Sequence, residues 1–300
     1  MVAMTVRLGV IGSSAGNGHP YSWSAIFNGY DVEAMQECEY PVIPGYLSAQ
    51  SWPDAKISGA EVSSIWTQNS ELSARIAKAS CIEHISSTLV ELESRVDAVL
   101  LARDDAENHL HFARQFLLAG KPVYIDKPIA LSMKALHELY DLQQYSGQIF
   151  TCSALSYGAE FRLSPEDRSE LGCITSVSAS TPKSWEKYAV HIIEPVLKMI
   201  NPDDFVIEAN VSNDSNESRS LSVRWVNDVR ATFSTLGNID SPIQIKIKGS
   251  NRSKTLVFKN SFSAFKMALQ DYIDGISDGK CRSPFEFNAK VVDLIERGMK

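Results

Sequence analysis

Two short stretches put reactive side chains where an α/β fold presents ligands. One is the apolar run Val96-Asp-Ala-Val-Leu-Leu-Ala-Arg103, which leads into Asp104-Asp105, and the other is Pro122-Val-Tyr-Ile-Asp126-Lys127-Pro128. Both read as buried parallel strands carrying charged groups at their C-terminal ends, the edge of an open α/β sheet at which ligands bind. A lysine set directly after such a strand, and locked by the proline that follows, faces a crevice rather than open solvent. A cation there can stabilise an alkoxide as it develops and orient a substrate hydroxyl. Pro128 is also a candidate cis position, since X-Pro is the bond at which cis costs little.

A second feature follows the first strand. Leu8-Gly-Val-Ile-Gly12-Ser13-Ser14-Ala-Gly16-Asn-Gly18-His19-Pro20 reads as strand, turn and helix start, the setting in which backbone N–H groups and a helix N-terminus hold a pyrophosphate. Gly12 permits the tight turn, while Gly16 and Gly18 permit close backbone approach. Ser14 stands where G-x-G-x-x-G has its second glycine, so a plain strand-to-helix turn is the competing reading. The same residues spell G-x-S-x-G, the nucleophile elbow of α/β-hydrolases, with Ser14 as nucleophile. Position argues against this, because the elbow follows several strands and here it follows the first. The glycine loop and the buried lysine together point to nicotinamide-dependent oxidoreduction, with Gly12, Ser13, Ser14, Gly16, Gly18 and His19 on the cofactor.

The second strand ends in Thr67-Gln68-Asn69, neutral where Asp or Glu would bind a ribose 2′-hydroxyl. Asp31 lies at nearly the right distance from Gly12 but inside a long insertion, so coincidence is the simpler account. NAD and NADP both remain open. Thr67, Arg103, Asp104, His109, Asp126 and Lys127 are the remaining candidate cofactor contacts. Aspartate after the fourth strand is equally favoured by capping and dipole at a helix N-terminus, and both readings can hold at once. His109 and His111 diverge at i, i+2 on a helix, which argues against a metal pair. No metal is expected.

A third cluster is Lys187-Tyr188-Ala-Val-His191-Ile-Ile-Glu194-Pro195-Val-Leu-Lys198. At helical spacing Lys187, Tyr188, His191, Glu194 and Lys198 share a polar stripe opposite Val190, Ile193, Leu197 and Ile200, and a solvated amphipathic helix is the bland reading. Pro195 complicates it. Inside a helix it leaves the His191 carbonyl without a partner; as the first helical residue it leaves His191 in the preceding loop.

The elements that must position these groups fall into two sets. Strands are expected near Val6–Ile11, Glu61–Trp66, Cys81–Ile85, Ala98–Ala102, Val123–Ile125 and Ile149–Cys152. Helices are expected near 71–79, 87–95, 107–119 and 133–145, the βαβ rhythm of a doubly wound parallel sheet. The aromatic, proline-bearing stretch Gly29–Ile57 breaks that rhythm as an insertion. After Ser153 strand-like runs cluster at 174–180, 205–211, 221–227, 229–236, 243–248 and 255–258, followed by helices at 264–276 and 289–297. That pattern indicates a mostly antiparallel sheet with helices, an α+β domain. The polar tract Asn210–Ser220 reads as a hairpin loop.

Three hundred residues suit two domains, and 44% hydrophobic with 22% charged residues is an ordinary globular balance. The net charge of −7 argues against nucleic acid or an anionic membrane as the main partner. The five cysteines form no C-x-x-C pair, which fits reduced thiols better than disulfides or zinc. The N-terminus lacks the pattern of a secretory signal and no apolar run approaches the ~20 residues of a membrane span, so a cytoplasmic location is expected.

These residues together resemble the glucose-fructose oxidoreductase, inositol dehydrogenase and MocA family (Gfo/Idh/MocA). Asp126-Lys127-Pro128 is similar to its E-K-P motif, and the Gly12 loop running into His19-Pro20-Tyr-Ser-Trp23 resembles a variant of its fingerprint. The resemblance spans essentially the whole chain. It implies an α/β protein with an N-terminal Rossmann domain over 1–152 that binds NAD or NADP. It also implies a C-terminal α+β domain over 153–300, whose open sheet often mediates dimers or tetramers and which covers a sugar-like substrate. The family's catalytic pattern D-x-x-x-H places its histidine at His191, but the aspartate position is Lys187; some branches resemble the H-x-x-E seen here, which gives Glu194 an orienting role. The expected activity is hydride transfer at a secondary hydroxyl or ketone of a sugar, sugar acid, nucleotide sugar or cyclitol. In it His191 moves the proton, Lys127 holds the oxygen, and Tyr188 and Glu194 position substrate or histidine. The rival expectation is a non-catalytic NAD(P)-binding or ligand-sensing protein on the same fold.

Overall fold

The computed structural model describes residues 5–201, 206–213 and 217–300. The chain divides into two compact units interleaved in sequence: one comprises Met1–Ile129, His137–Thr151 and Phe265–Phe285, the other Ala130–Leu136, Cys152–Ala264 and Glu286–Lys300.

The first unit holds strands β1 (Val6–Gly12), β2 (Ala60–Thr67), β3 (His84–Ile85), β4 (Ala98–Leu101), β5 (Val123–Ile125) and β6 (Ile149–Phe150). They form one sheet in the order β3-β2-β1-β4-β5-β6, with every pair parallel. This doubly wound arrangement reverses direction beside β1, which puts the ends of β1 and β4 at the switch point where such sheets bind ligands. The central strands are apolar along their length because both faces are covered: all four residues of β4 and all three of β5 are buried. Sequence-local signals set the flanking helices. Asn69 caps Ser70–Ala79 by accepting from Leu72 N at 3.0 Å, and Thr88 caps Leu89–Arg95 by accepting from Glu91 N at 3.1 Å.

Three expectations change. β3 is confined to His84–Ile85, because Cys81 takes a left-handed φ of 52° that breaks extension. The helix from Met133 ends at Tyr140 rather than Tyr145. The insertion after Gly29 carries helices Val32–Gln36 and Val42–Ser48, and Asp31 spends its carboxylate capping the first of them through Ala34 N.

The second unit holds β7 (Ile174–Thr181), β8 (Val206–Asn213), β9 (Arg219–Trp225), β10 (Arg230–Thr235), β11 (Gln244–Gly249) and β12 (Ser253–Val257), ordered β12-β11-β7-β10-β9-β8. All its pairings are antiparallel except β10 with β7. Alternation of buried with partly or fully exposed residues in β10, β11 and, from Leu221 onward, β9 leaves one face covered and one more open. Val177, Leu221, Val223, Phe233, Ile245 and Ile247 pack on the covered side with Ile193, Val196 and Leu197 of helix Val190–Ile200. The polar tract is shorter as a loop than its composition suggests, since β8 runs to Asn213 and β9 starts at Arg219; residues 214–216, like Phe205, lie outside the described residues. No helix among the described residues is long and apolar enough to cross a membrane.

Candidate active site

The C-terminal ends of β1, β4 and β5 gather one polar cluster in the first unit. Lys127 emerges from β5 with its side chain 8% exposed, and its Nζ lies 3.8 Å from Asp104 Oδ2 beyond the end of β4. The bond between Lys127 and Pro128 is cis. Ser14 Oγ donates to Asp104 Oδ1 at 2.7 Å and accepts from Asp104 N at 3.0 Å. The Ser14 hydroxyl is thus bound to an aspartate on both sides, an arrangement that ties the glycine loop to β4 rather than activating a nucleophile.

Asp126 is buried and takes three donors. Its Oδ2 accepts from Asn17 Nδ2 at 2.9 Å and faces His19 Nδ1 at 2.6 Å, while its Oδ1 accepts from Lys127 N at 2.7 Å. Burial pushes the carboxyl up, but the charges of His19 and Lys127 and the hydrogen bonds from His19 and Asn17 outweigh it and hold Asp126 at about 2. An ionised carboxylate only accepts, so His19 Nδ1 carries the proton. Its ring is stacked on Trp23 at 4.8 Å.

Gln68, next to the predicted Thr67, clamps the turn: its Oε1 accepts from Ser13 N at 2.9 Å, and its Nε2 donates to Ser13 O at 2.7 Å. Arg103 Nη1 donates to the same Oε1 at 3.1 Å, pairs with Asp105, and lies 4.4 Å over the Phe112 ring. The Thr67 hydroxyl is committed to Asn69 O at 2.6 Å and Ser73 Oγ at 2.9 Å. His109 is fully buried, with Nε2 2.7 Å from Arg103 O and Nδ1 3.0 Å from Ile129 O. Its place is that of a brace between the ends of β4 and β5.

The glycines differ in what they permit. Gly16 has φ +79° with open space where a side chain would stand, whereas a Cβ on Gly18 would meet Tyr40 and Ile43 of the insertion. A cavity of about 310 Å³ opens beside the loop, lined by Ser14, Gly16, Asn17, Tyr40, Gln68 and Arg75. An open glycine turn, a polar cavity and the N-terminus of helix His19–Asn28 fit the phosphates of a dinucleotide. A larger groove of about 660 Å³, by Ala60 and Glu61, lies at the opposite, N-terminal end of β2.

In the second unit His191 stands at the start of helix Val190–Ile200, 7% exposed, with Pro195 inside that helix. The polar stripe is therefore not a solvated face: His191 and Glu194 are both buried. His191 Nδ1 lies 2.8 Å from Ser153 Oγ. Glu194 accepts from Ser153 N and from Ser156 Oγ at 2.9 Å, and pairs with Lys198 Nζ at 2.9 Å. Glu194 and His191 thus share Ser153 as a hydrogen-bonding partner. Tyr188 meets the His191 ring edge-to-face at 5.2 Å. Asn17, Gln68 and Ser153 were missed as site residues; Asn17 and Gln68 lie in or beside motifs already flagged, but nothing local marks Ser153.

Residues 6–153 match the model of a family described as an oxidoreductase family with an NAD-binding Rossmann fold, GFO_IDH_MocA. No curated protein matches the sequence significantly. Among solved structures, the chain is similar to GenD2 from gentamicin A biosynthesis in complex with NAD, at 14% identity and TM-score 0.72, covering 100% of this chain and 94% of that one. It is similar to myo-inositol 2-dehydrogenase from Lactobacillus plantarum, at 13% identity and TM-score 0.70, covering 97% and 95%. A third is biliverdin reductase from Synechocystis sp. PCC 6803 with biliverdin and NADP+, at 13% identity and TM-score 0.68, covering 97% of both. With a sheet order, glycine loop and strand-end lysine that agree with this match, the chain belongs to the Gfo/Idh/MocA family of NAD(P)-dependent oxidoreductases.

Proposed function

We propose that this enzyme moves hydride between NAD or NADP and a secondary hydroxyl or ketone of a sugar, sugar acid, nucleotide sugar or cyclitol. The observation that carries this reading is the buried Lys127 ammonium at the C-terminal sheet edge, next to the loop that fits a dinucleotide. The nicotinamide supplies the hydride acceptor or donor. Lys127 holds the substrate oxygen and stabilises negative charge on it. His191 takes or returns the hydroxyl proton at Nε2, which requires Nδ1–H to donate to Ser153 Oγ. Gly12, Ser13, Ser14, Gly16 and His19 bind the dinucleotide, with Thr67, Arg103, Asp104, Asp126 and His109 supporting that surface, while Gly18 packs the loop against Tyr40 and Ile43. We further propose a cytoplasmic dimer or tetramer formed through the open sheet face, which sedimentation of the purified protein tests.

The test of the chemistry is a double-mutant cycle on the substrate found by a sugar and cyclitol panel. Lys127→Met lowers kcat by on the order of a hundredfold, the scale of one lost contact to a developing oxyanion, while dinucleotide binding survives. His191→Asn lowers it comparably, and the two losses are non-additive because both groups act on one oxygen. Wild-type rates in both variants, or no oxidoreduction with any panel member, sink the catalytic reading in favour of a ligand sensor.

A further inference from the structure

β2 ends without the carboxylate that binds a ribose 2′-hydroxyl in doubly wound folds, and Gln68, which follows it, is committed to clamping Ser13. The cavity beside the glycine loop nevertheless continues past Gln68 along helix Ser70–Ala79. There Leu72 and Ile76, one turn apart, give it an apolar wall of the kind a purine base packs against. Of the side chains that line this cavity, two are charged, Glu39 and Arg75. Glu39 comes from the insertion and Arg75 from the same helix as Leu72.

Both are held where they stand. Glu39 lies in a turn closed on the Tyr40 carbonyl, which accepts from Cys38 Sγ at 3.4 Å and from Ile43 N at 2.9 Å. The Tyr40 and Ile43 side chains stand against Gly18, so close that a Cβ there would meet them. Arg75 sits beside the buried Tyr21 hydroxyl. Its Nη2 lies 3.9 Å from Glu39 Oε1, the outer limit of an ion pair, and the two side chains are 52% and 77% exposed. A pair so long and so well solvated contributes little to stability, so a ligand can engage either member at small cost.

Opposite charges at one ribose position read two ligands. A carboxylate accepts from a ribose diol and repels a 2′-phosphate, whereas a guanidinium pairs with that phosphate through a fork of donors. We propose that Glu39, supplied by the insertion in place of an acid on β2, binds the adenosine ribose hydroxyls of NAD, and that Arg75 binds the 2′-phosphate of NADP, so that this pair sets cofactor choice. This rests on the dinucleotide reading of the glycine loop, but its test does not depend on turnover. The purified full chain is titrated with NADH and NADPH by fluorescence, at low ionic strength because both groups are exposed. Glu39→Gln shifts the ratio of the two dissociation constants towards NADPH by about tenfold, and Arg75→Met shifts it towards NADH by about tenfold, the scale of one charge-assisted contact. Arg75→Lys keeps most of the NADPH affinity, and circular dichroism confirms that the variants fold. Calorimetry with adenosine 2′,5′-bisphosphate against 5′-AMP reproduces both shifts without the nicotinamide. A ratio that either variant leaves unmoved, or that both move the same way, overturns the ribose assignment while the dinucleotide site stands. Should the opposite shifts hold while no panel sugar is oxidised or reduced, the ribose assignment stands and the dehydrogenase reading falls; should the wild type bind neither dinucleotide, both fall.

Discussion

Ser153 illustrates how much of a histidine's chemistry lies outside the histidine. For Nε2 to accept a proton, Nδ1 must hold its own, and the Ser153 hydroxyl at 2.8 Å is placed to fix that tautomer. Glu194 anchors Ser153 through its backbone N–H. Ser153→Ala therefore lowers kcat by about tenfold, the scale of one orienting hydrogen bond, and displaces the His191 limb of the pH–rate profile, whereas Ser153→Thr restores both. An unchanged profile in Ser153→Ala removes it from the positioning role. Asp126 supports a prediction about stability instead. Its carboxyl is held at about 2 in the fold, below the ~3.9 of an unfolded chain, so its contribution is present above pH ~4 and is lost as pH falls towards 2. Denaturant unfolding should show wild type losing on the order of 2 kcal/mol more than Asp126→Asn over that interval. Parallel curves would mean that the His19 and Asn17 contacts do not stabilise the charged form.

At the scale of the element, the glycine loop separates two jobs that spacing alone assigned together. Gly16 is at φ +79° with nothing within reach, while Gly18 is filled against Tyr40 and Ile43. Gly16→Val therefore weakens nicotinamide dinucleotide binding by about tenfold or more, through strain and crowding of the phosphate approach. Gly18→Val instead lowers thermal stability, costing about 1–3 kcal/mol by overpacking against the insertion. Calorimetric melting and cofactor titration of the two variants tell the roles apart, and the same pattern in both would erase the distinction. The insertion itself was legible as an interruption but not as a packing partner, because its contact with Gly18 joins residues remote in sequence.

For the whole molecule, cofactor choice depends on groups from several elements. β2 ends without a carboxylate, Gln68 is used to clamp Ser13, and Arg75 lines the cavity beside the loop. Glu39 lines the same cavity, 3.9 Å from Arg75, so neither sign of charge dominates there, and NAD and NADP are expected to bind within about a thousandfold of each other, roughly 4 kcal/mol. Fluorescence titration with NADH and NADPH checks this, and a wider gap would place an unopposed charged contact at the 2′ position. The two units also share the chain unevenly: Tyr272, far down the sequence, is buried in the first unit with its hydroxyl donating to Val99 O at 3.1 Å.

The sequence by itself determined the parallel sheet, the placement of Lys127 at its C-terminal edge and the mostly antiparallel second sheet, whereas the parallel pairing of β10 with β7 came only with the structure. Each is written in local signals: uninterrupted apolar runs for β4 and β5, alternation for β9 to β11, and caps such as Asn69 and Thr88. The Pro195 question shows where such signals stop. Helix interior and helix start were both compatible with the spacing around His191, and burial of that face against the second-unit core decided for the interior. The partners of the reactive groups were likewise settled only by tertiary structure. Ser14 meets Asp104 across 90 residues, His19 meets Asp126 across 107, and Ser153 meets His191 across 38. A hydrogen bond depends on distance and angle between side chains, and no periodicity in the chain encodes either once the contact is between different elements.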